Sequence, residues 1–94
     1  MNKIKILTII DVFKIEGKGT VVTGYPSIEL NDSDKGFSVI IDIPGRQSIV
    51  TTVQSHELLR NCFSPQKPRT LALLLDANIS PSDIVNGSEV YFKN

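Results

Sequence analysis

The feature that most constrains the fold is a pair of β-rich runs that meet at a Gly-x-Gly turn between Asp11 and Gly24. Gly17 and Gly19 separate the two runs, and glycine accepts the positive φ angles that a tight reversal requires. β-Branched residues fill the second run, Thr20-Val21-Val22-Thr23. This pattern predicts a β-hairpin in which Gly17, Gly19 and Gly24 are the structural turn residues.

Short β-branched runs broken by turn residues continue along the whole chain, and helical periodicity is almost absent. The predicted strands are Ile4–Ile15, Thr20–Tyr25, Phe37–Ile43, Ile49–Gln54, Thr70–Asp76 and Glu89–Lys93. The first is long enough to bend and to serve two parts of a sheet. Because closure removes exposed strand edges, six short strands in 94 residues favour a barrel. We therefore predict an all-β fold, a small closed antiparallel β-barrel that forms a single domain over residues 1–94.

The segments between these strands have the composition of turns and connectors. Asn31–Gly36 is a polar loop, Pro44-Gly45 predicts a hairpin turn, and Ser64-Pro65-Gln66-Lys67-Pro68 predicts a rigid connector. Two single helical turns are also predicted. One is capped by Ser55 and runs to Arg60, and the other has Ser80 as its cap, Pro81 in the first position and Asp83 three residues after the cap.

Composition and charge exclude several classes of protein. The ten basic and ten acidic side chains cancel, so no overall field draws the chain to nucleic acid or to an anionic membrane, and any RNA contact must be local. No stretch approaches the roughly 20 apolar residues that span a bilayer. Cys62 is the only cysteine, which excludes an internal disulfide. We expect a cytoplasmic protein without membrane association.

Residues suited to catalysis are scarce. His56 is the only histidine, so a His-based metal cluster and a pair of His acids and bases are excluded. We interpret His56 as a solvent-facing turn residue and Cys62 as a plain buried or half-buried thiol. Gly17-Lys18-Gly19-Thr20 contains a fragment of a phosphate loop, but a strand follows it where a helix N-terminus is required. We predict no enzymatic activity, no cofactor, no metal and no GTP binding by this chain alone.

The order Val12-Phe13, Gly17-Lys18-Gly19 and Thr20–Gly24 resembles the start of domain II in translational GTPases, above all elongation factor Tu. The likeness extends from about Ile6 to Val90 and includes Glu57-Leu58-Leu59-Arg60. In that family the domain is a β-barrel that holds the aminoacylated end of tRNA beside a separate GTPase domain. The resemblance implies the same barrel here, as a stand-alone domain.

The resemblance also implies which residues bind a ligand. In the family, one group of residues forms the pocket for the esterified amino acid, and a Glu-Arg turn contacts the terminal adenosine. A carboxylate can accept a hydrogen bond from a ribose hydroxyl, and a guanidinium can pair with phosphate or stack on a base. The residues at the matching positions are Asp11, Phe13 and Thr23 for the pocket, Thr70 where an asparagine closes it, and Glu57 and Arg60 for the turn.

Several substitutions separate this chain from the family pattern, and the Gly-bearing loop after the second strand is replaced by Tyr25-Pro26-Ser27. Ile10 replaces the first acid of a Glu-Asp pair, Thr70 replaces the asparagine, and Asp76 replaces an arginine. The GTPase domain and the third barrel of the family have no counterpart in these 94 residues.

Two functions follow as expectations. The first is a translation-associated binding module that contacts an aminoacyl-tRNA end, ribosomal RNA or a translation factor. The alternative is a protein-interaction module that mimics domain II, as a decoy, immunity-type or regulatory protein. RNA binding predicts affinity that falls steeply with salt, whereas mimicry predicts weak salt dependence.

Overall fold

The computed structural model describes residues 4–31, 34–59 and 69–93. In chain order its strands are β1 (Lys5–Ile15), β2 (Gly19–Pro26), β3 (Phe37–Asp42), β4 (Ile49–Leu59), β5 (Thr70–Leu75) and β6 (Glu89–Phe92). They form a closed barrel in the order β1-β2-β5-β4-β3-β6, with β6 pairing back to β1 and every pair antiparallel. The predicted all-β class and the closed antiparallel barrel are confirmed.

The predicted hairpin joins β1 to β2. Gly17 and Gly19 have positive φ angles of 77° and 141°, and the Lys18 N–H donates to the Ile15 carbonyl at 3.0 Å. Gly24 is different, because it lies within β2 and not in a turn. A Cβ at Gly24 would overlap the Thr8 carbonyl oxygen, so this glycine allows two strands to approach closely. The prediction of Gly24 as a turn residue is therefore wrong.

Strand β1 serves two parts of the sheet, as its length predicts. It pairs with β2 from Leu7 to Ile15 and with β6 only from Lys5 to Thr8. A register shift at Ile10 bends the strand between these parts. The second half of β1 therefore extends beyond the closed part of the barrel.

Alternate side chains of all six strands fill the barrel interior, as the period of two along a strand requires. The buried apolar residues of this core are Ile6, Leu7, Ile9, Val22, Val39, Ile41, Ile43, Val53, Leu71, Leu73, Leu75, Ile79, Ile84 and Val90. Thr20 is also buried, and its hydroxyl donates to the Ile79 carbonyl at 2.5 Å. This bond ties the loop after β5 to the start of β2.

Two of the predicted local structures are confirmed. At Pro44-Gly45, the Arg46 N–H donates to the Ile43 carbonyl at 3.1 Å and closes the hairpin turn. Pro81–Asp83 forms a 3₁₀ turn, and the Asp83 carboxylate accepts a hydrogen bond from the Ser80 N–H at 3.0 Å. The second predicted helical turn is therefore present where its cap residues indicate.

The prediction of the other helical turn, from Ser55 to Arg60, is wrong for Ser55–Leu59, the part that the structure describes. Ser55–Leu59 continues β4 and pairs with β5 in the register Ser55–Leu74 to Leu59–Thr70. A single helical turn has little stability of its own, and pairing with β5 satisfies the backbone groups on that side of the segment instead. Arg60, Cys62 and the connector predicted over residues 64–68 lie outside the described residues.

Candidate functional site

Three predicted ligand residues lie in one row across four strands. Asp11 of β1 is opposite Thr23 of β2, Thr23 is opposite Ala72 of β5, and Ala72 is opposite Glu57 of β4. Directly opposite residues in an antiparallel pair share one face of the sheet. The row therefore collects Asp11, Thr23 and Glu57 on the outer face of the sheet, although 46 positions separate the first from the last.

The neighbouring row contains Phe13. Its register partners across the same strands are Val21, Leu74 and Ser55. Phe13 lies two residues after Asp11, so its side chain projects from the same face. Phe13 is 42% exposed, whereas Val21 beside it is only 5% exposed. The Phe13 ring is therefore exposed at the surface, next to the buried side chain of Val21.

A groove of ≈ 380 Å³ runs along this face, and we call it the outer groove. Most of its walls are apolar, with Lys18 as a cation and Glu57 as a carboxylate among the described lining. Such a site can enclose a flat or apolar group and orient it through a few polar contacts. The residues that line it are Phe13, Ile15, Lys18, Val21, Ser55, His56, Glu57, Leu59, Ala72 and Leu74.

The predicted site residues contribute unequally to the outer groove. Phe13 and Glu57 line it. Thr23 is 7% exposed and offers little surface to a ligand, while Asp11 is exposed and its carboxylate accepts a hydrogen bond from the Val12 N–H at 2.9 Å. Thr70 is paired with Leu59 at the end of the β4–β5 ladder and is not part of the lining. Arg60 lies outside the described residues.

Sequence reasoning missed most of the apolar wall. The sequence assigns no binding role to Ile15, Val21, Leu59 or Leu74, and Lys18 occurs only within the phosphate-loop fragment and the Gly-x-Gly motif of the resemblance. A signal was available for Ile15, because it follows Phe13 at the strand period of two. No comparable signal exists for Leu59 and Leu74, since their place on this face depends on how β4 and β5 pair.

A second groove, of ≈ 510 Å³, opens on the other face of the β4–β5 ladder at the mouth of the barrel, and we call it the mouth groove. His56 and Glu57 line both grooves. The residues that line the mouth groove are Pro26, Ile28, Glu29, Leu30, His56, Glu57, Leu58 and Leu71. The end of β4 therefore has a groove on each of its faces.

His56 belongs to the sheet and not to a solvent-facing turn. Its Nε2 lies 3.0 Å from the Asn31 carbonyl oxygen, and its ring centroid lies 6.5 Å from that of Phe37. The histidine is half-buried and fastens the loop after β2 against β4. The interpretation of His56 as a turn residue is corrected, because the chain continues as a strand at this position.

A polar cluster spans the paired ends of β1 and β6, and none of its residues lines either groove. The Tyr91 hydroxyl donates to the Glu89 carboxylate at 2.5 Å, and the Lys5 ammonium lies 3.4 Å from it. The hydrogen bond from Tyr91, followed by the charge of Lys5, lowers the pKa of Glu89 below its ordinary value of 4.5. The same hydrogen bond raises the pKa of Tyr91 above 10.0.

Comparison with known proteins finds no matching family model and no matching curated sequence. Within residues 4–31, 34–59 and 69–93, no helix has the length and apolar character that crossing a membrane requires. The same part of the chain contains no group of three or more His, Cys, Asp or Glu side chains arranged to hold a metal ion.

Proposed function

We propose that this chain is a non-enzymatic binding module associated with translation, which receives the aminoacylated end of a tRNA, or an equivalent exposed RNA end, in the outer groove. The observation that carries the proposal is the alignment of Asp11, Thr23 and Glu57 in one row with Phe13 beside it. These are the positions that the resemblance to domain II of translational GTPases assigns to ligand binding. Their convergence on one face supports the proposal.

The chemistry of the outer groove suits such a ligand. Phe13 provides an exposed aromatic face on which a base or an apolar aminoacyl side chain can stack. Glu57 can accept hydrogen bonds from ribose hydroxyls, and the Lys18 ammonium can approach a phosphate. Ribosomal RNA or a translation factor that presents the same groups would use the same contacts. The proposal requires binding and orientation only, with no bond made or broken.

The test is a titration of the ¹⁵N-labelled chain with an RNA oligonucleotide that ends in adenosine, with and without an ester-linked amino acid on the terminal ribose. The expected shift changes are confined to outer-groove amides, including those of Val21 and Leu74. Phe13→Ala should weaken binding by about tenfold or more, since stacking of one base on an aromatic side chain contributes about 1–3 kcal/mol. The matched control is Tyr25→Ala, which removes an aromatic ring that is 50% exposed and outside the groove lining.

A second pair of variants tests the carboxylate. Glu57→Gln should weaken binding of the RNA oligonucleotide. Glu29→Gln removes the same charge from the mouth groove alone, so it should leave the affinity for the oligonucleotide unchanged. Equal effects of Phe13→Ala and Tyr25→Ala, or shift changes spread outside the groove, would contradict RNA binding at this site.

A second candidate, a protein-interaction module that mimics domain II, is favoured by a specific observation. Phe13, Ile15 and Leu59 line the outer groove and are each at least 39% exposed, and Lys18 is the one cation among the described lining residues. Aromatic and apolar surface with little charge is typical of the centre of protein interfaces.

Salt dependence distinguishes the two candidates. Each phosphate contact to single-stranded RNA contributes about −0.7 to the slope of the logarithm of the binding constant against the logarithm of the salt concentration. The affinity of an apolar protein contact depends little on salt. Capture from a bacterial lysate with and without nuclease provides the second measurement. Recovery of tRNA or ribosomal components that nuclease abolishes supports RNA binding, and a nuclease-resistant protein partner supports mimicry.

A further inference from the structure

The loop before β6 contains the dipeptide Asn86-Gly87, and no other asparagine of the chain is followed by glycine. Asparagine amides are among the chemically least stable groups of a protein. The amide is lost when the backbone nitrogen of the next residue attacks the side-chain carbonyl carbon. Glycine leaves that nitrogen unobstructed because it has no Cβ. Both residues are exposed, so water and solvent bases reach the reacting groups.

This loop is a tight turn over residues 85–88. The Ser88 N–H donates to the Val85 carbonyl at 3.2 Å, and the Ser88 hydroxyl donates to the same oxygen at 2.6 Å. Gly87 has a φ of 94°, a conformation that favours glycine at the third position of a turn. Two hydrogen bonds to one carbonyl therefore hold the 85–88 turn closed.

The backbone nitrogen that would attack Asn86 is bonded to β1. The Gly87 N–H donates to the Ile9 carbonyl at 2.7 Å, and the Ile9 N–H donates to the Ser88 carbonyl at 2.8 Å. Attack requires the Gly87 nitrogen to lose its proton, so its bond to Ile9 must open first. Backbone hydrogen bonds of a folded protein open by local fluctuations. The rate of amide loss at Asn86 therefore depends on how often the turn separates from β1.

The contact with Ile9 lies at the bend of β1. Pairing of β1 with β6 ends at Thr8, and the register of β1 with β2 shifts between Ile9 and Asp11. The 85–88 turn thus holds the strand at the point where it leaves the closed part of the barrel. Opening of the turn releases β1 at this bend.

We propose that Asn86 is a site of spontaneous covalent modification, where asparagine is converted to aspartate and isoaspartate whenever the 85–88 turn opens from β1. The Gly87 nitrogen loses its proton to a solvent base and forms a bond to the Asn86 side-chain carbonyl carbon. The amide nitrogen takes up a proton from water and leaves as ammonia.

The product of this step is a cyclic imide in which the Gly87 nitrogen carries no hydrogen, so its bond to Ile9 is lost. Water then adds to one of the two imide carbonyls, and the bond from that carbon to the nitrogen breaks. Opening on one side leaves aspartate. Opening on the other side leaves isoaspartate, which adds one carbon to the backbone of the turn and should weaken its bonds to Ile9.

The test compares the folded chain with the same chain in urea, both incubated at mildly alkaline pH and mapped by peptide mass spectrometry. We expect conversion of Asn86 in both samples, at a rate about tenfold or more lower in the folded chain because its turn is closed. Asn78 is the internal control, since it is also exposed but precedes the β-branched Ile79. Asn78 should keep its amide in both samples while Asn86 is converted.

Two serine variants test control by the turn. Ser88→Ala removes the hydroxyl bond to Val85, so conversion of Asn86 in the folded chain should accelerate by about threefold or more, with no change in urea. Ser48→Ala is the matched control, because it removes a hydroxyl bond to the Asp42 carboxylate in another loop. It should leave the rate at Asn86 unchanged.

Hydrogen exchange of the purified isoaspartate form provides a measurement that needs no variant. The amides of Ile9 and Gly87 should exchange about tenfold or more faster than in the unmodified chain. Unchanged exchange at both amides, equal conversion of Asn78 and Asn86, or equal rates in the folded and the urea-denatured chain would overturn the proposal. Equal acceleration by the two serine variants would also overturn it. The proposal does not rest on RNA binding, since none of these residues lines the outer groove.

Discussion

The barrel has two regions that differ in how completely their strands are paired. In the closed body, formed by β3, β6 and the first halves of β1 and β4, every strand has a neighbour on each side. In the open ribbon, Asp11–Ile15 and Ser55–Leu59 each pair on one side only within the described residues, on either side of a sheet centred on β2 and β5. Ile41 and Val90 of the body are fully buried, whereas Phe13 and Leu58 of the ribbon are 42% exposed.

If the proposed binding role is correct, this difference separates the residues that stabilise the fold from those that bind the ligand. Apolar burial in the barrel core, to which β2 and β5 also contribute buried residues, supplies most of the free energy that holds the fold. Exposed apolar groups in the ribbon contribute little to folding, and they lie around both grooves. Substitutions of buried residues should therefore lower the free energy of unfolding. Substitutions of exposed ribbon residues should mainly lower the affinity for a ligand.

The largest expected effect is in the core shared by both regions. Leu73 is fully buried, so Leu73→Ala removes apolar contacts and leaves a cavity. We expect it to lower the free energy of unfolding by about 3 kcal/mol. Urea denaturation measures this change. The control is Leu59→Ala, the same substitution at a ribbon position, which should lower the free energy of unfolding by about 1 kcal/mol or less. Equal losses for the two variants would remove the distinction between the regions.

Gly24 tests the junction where the body becomes the ribbon. Gly24→Ala introduces a Cβ that overlaps the Thr8 carbonyl oxygen, and backbone atoms must shift to relieve the overlap. We expect a loss of about 2 kcal/mol. Gly17→Ala is the matched control, since its Cβ meets nothing within 4 Å and only its positive φ is strained, at a cost of about 1 kcal/mol. A larger loss for Gly17→Ala than for Gly24→Ala in thermal unfolding would contradict this account.

Phe13→Ala tests the ribbon itself. Because the ring is partly exposed, we expect the free energy of unfolding to fall by about 1 kcal/mol or less. The affinity for the RNA oligonucleotide should fall by about tenfold or more. Denaturation and titration of the same sample measure both quantities. A loss of stability as large as that of Leu73→Ala would mean that the outer groove is part of the structural core.

The smallest effect is expected at the polar cluster of the body. Because the folded pKa of Glu89 is depressed, its contribution to stability is present above pH 4.5 and is lost as the pH falls through the folded pKa. Tyr91→Phe removes the hydrogen bond, so the Glu89 pKa should rise toward 4.5 and the acid-dependent loss of stability should shrink. Carboxyl ¹³C titration by NMR measures the pKa. An unchanged Glu89 pKa would assign the shift to Lys5 instead.

Part of the candidate site could be predicted from the sequence. Phe13 and Glu57 were expected at a ligand site and do line the outer groove. Asp11 and Thr23 lie in the adjacent row but contribute less surface, because one bonds to its neighbour's amide and the other is buried. Thr70 pairs with Leu59 outside the groove lining. Local patterns do not reveal which side chains a neighbouring strand will cover.

The sequence by itself determined the all-β class, the Gly17–Gly19 hairpin, the closed barrel and the approximate limits of most strands. The strand and turn features depend on residue preferences and on a period of two, which act over a few positions, and closure is expected because six short strands in an open sheet would leave exposed edges. Only the tertiary structure decided that Ser55–Leu59 is a strand, that Gly24 serves close packing, and that β2 pairs with β5. Those outcomes depend on contacts between residues 11 to 53 positions apart, and long-range packing overrides local preference where the local signal is weak.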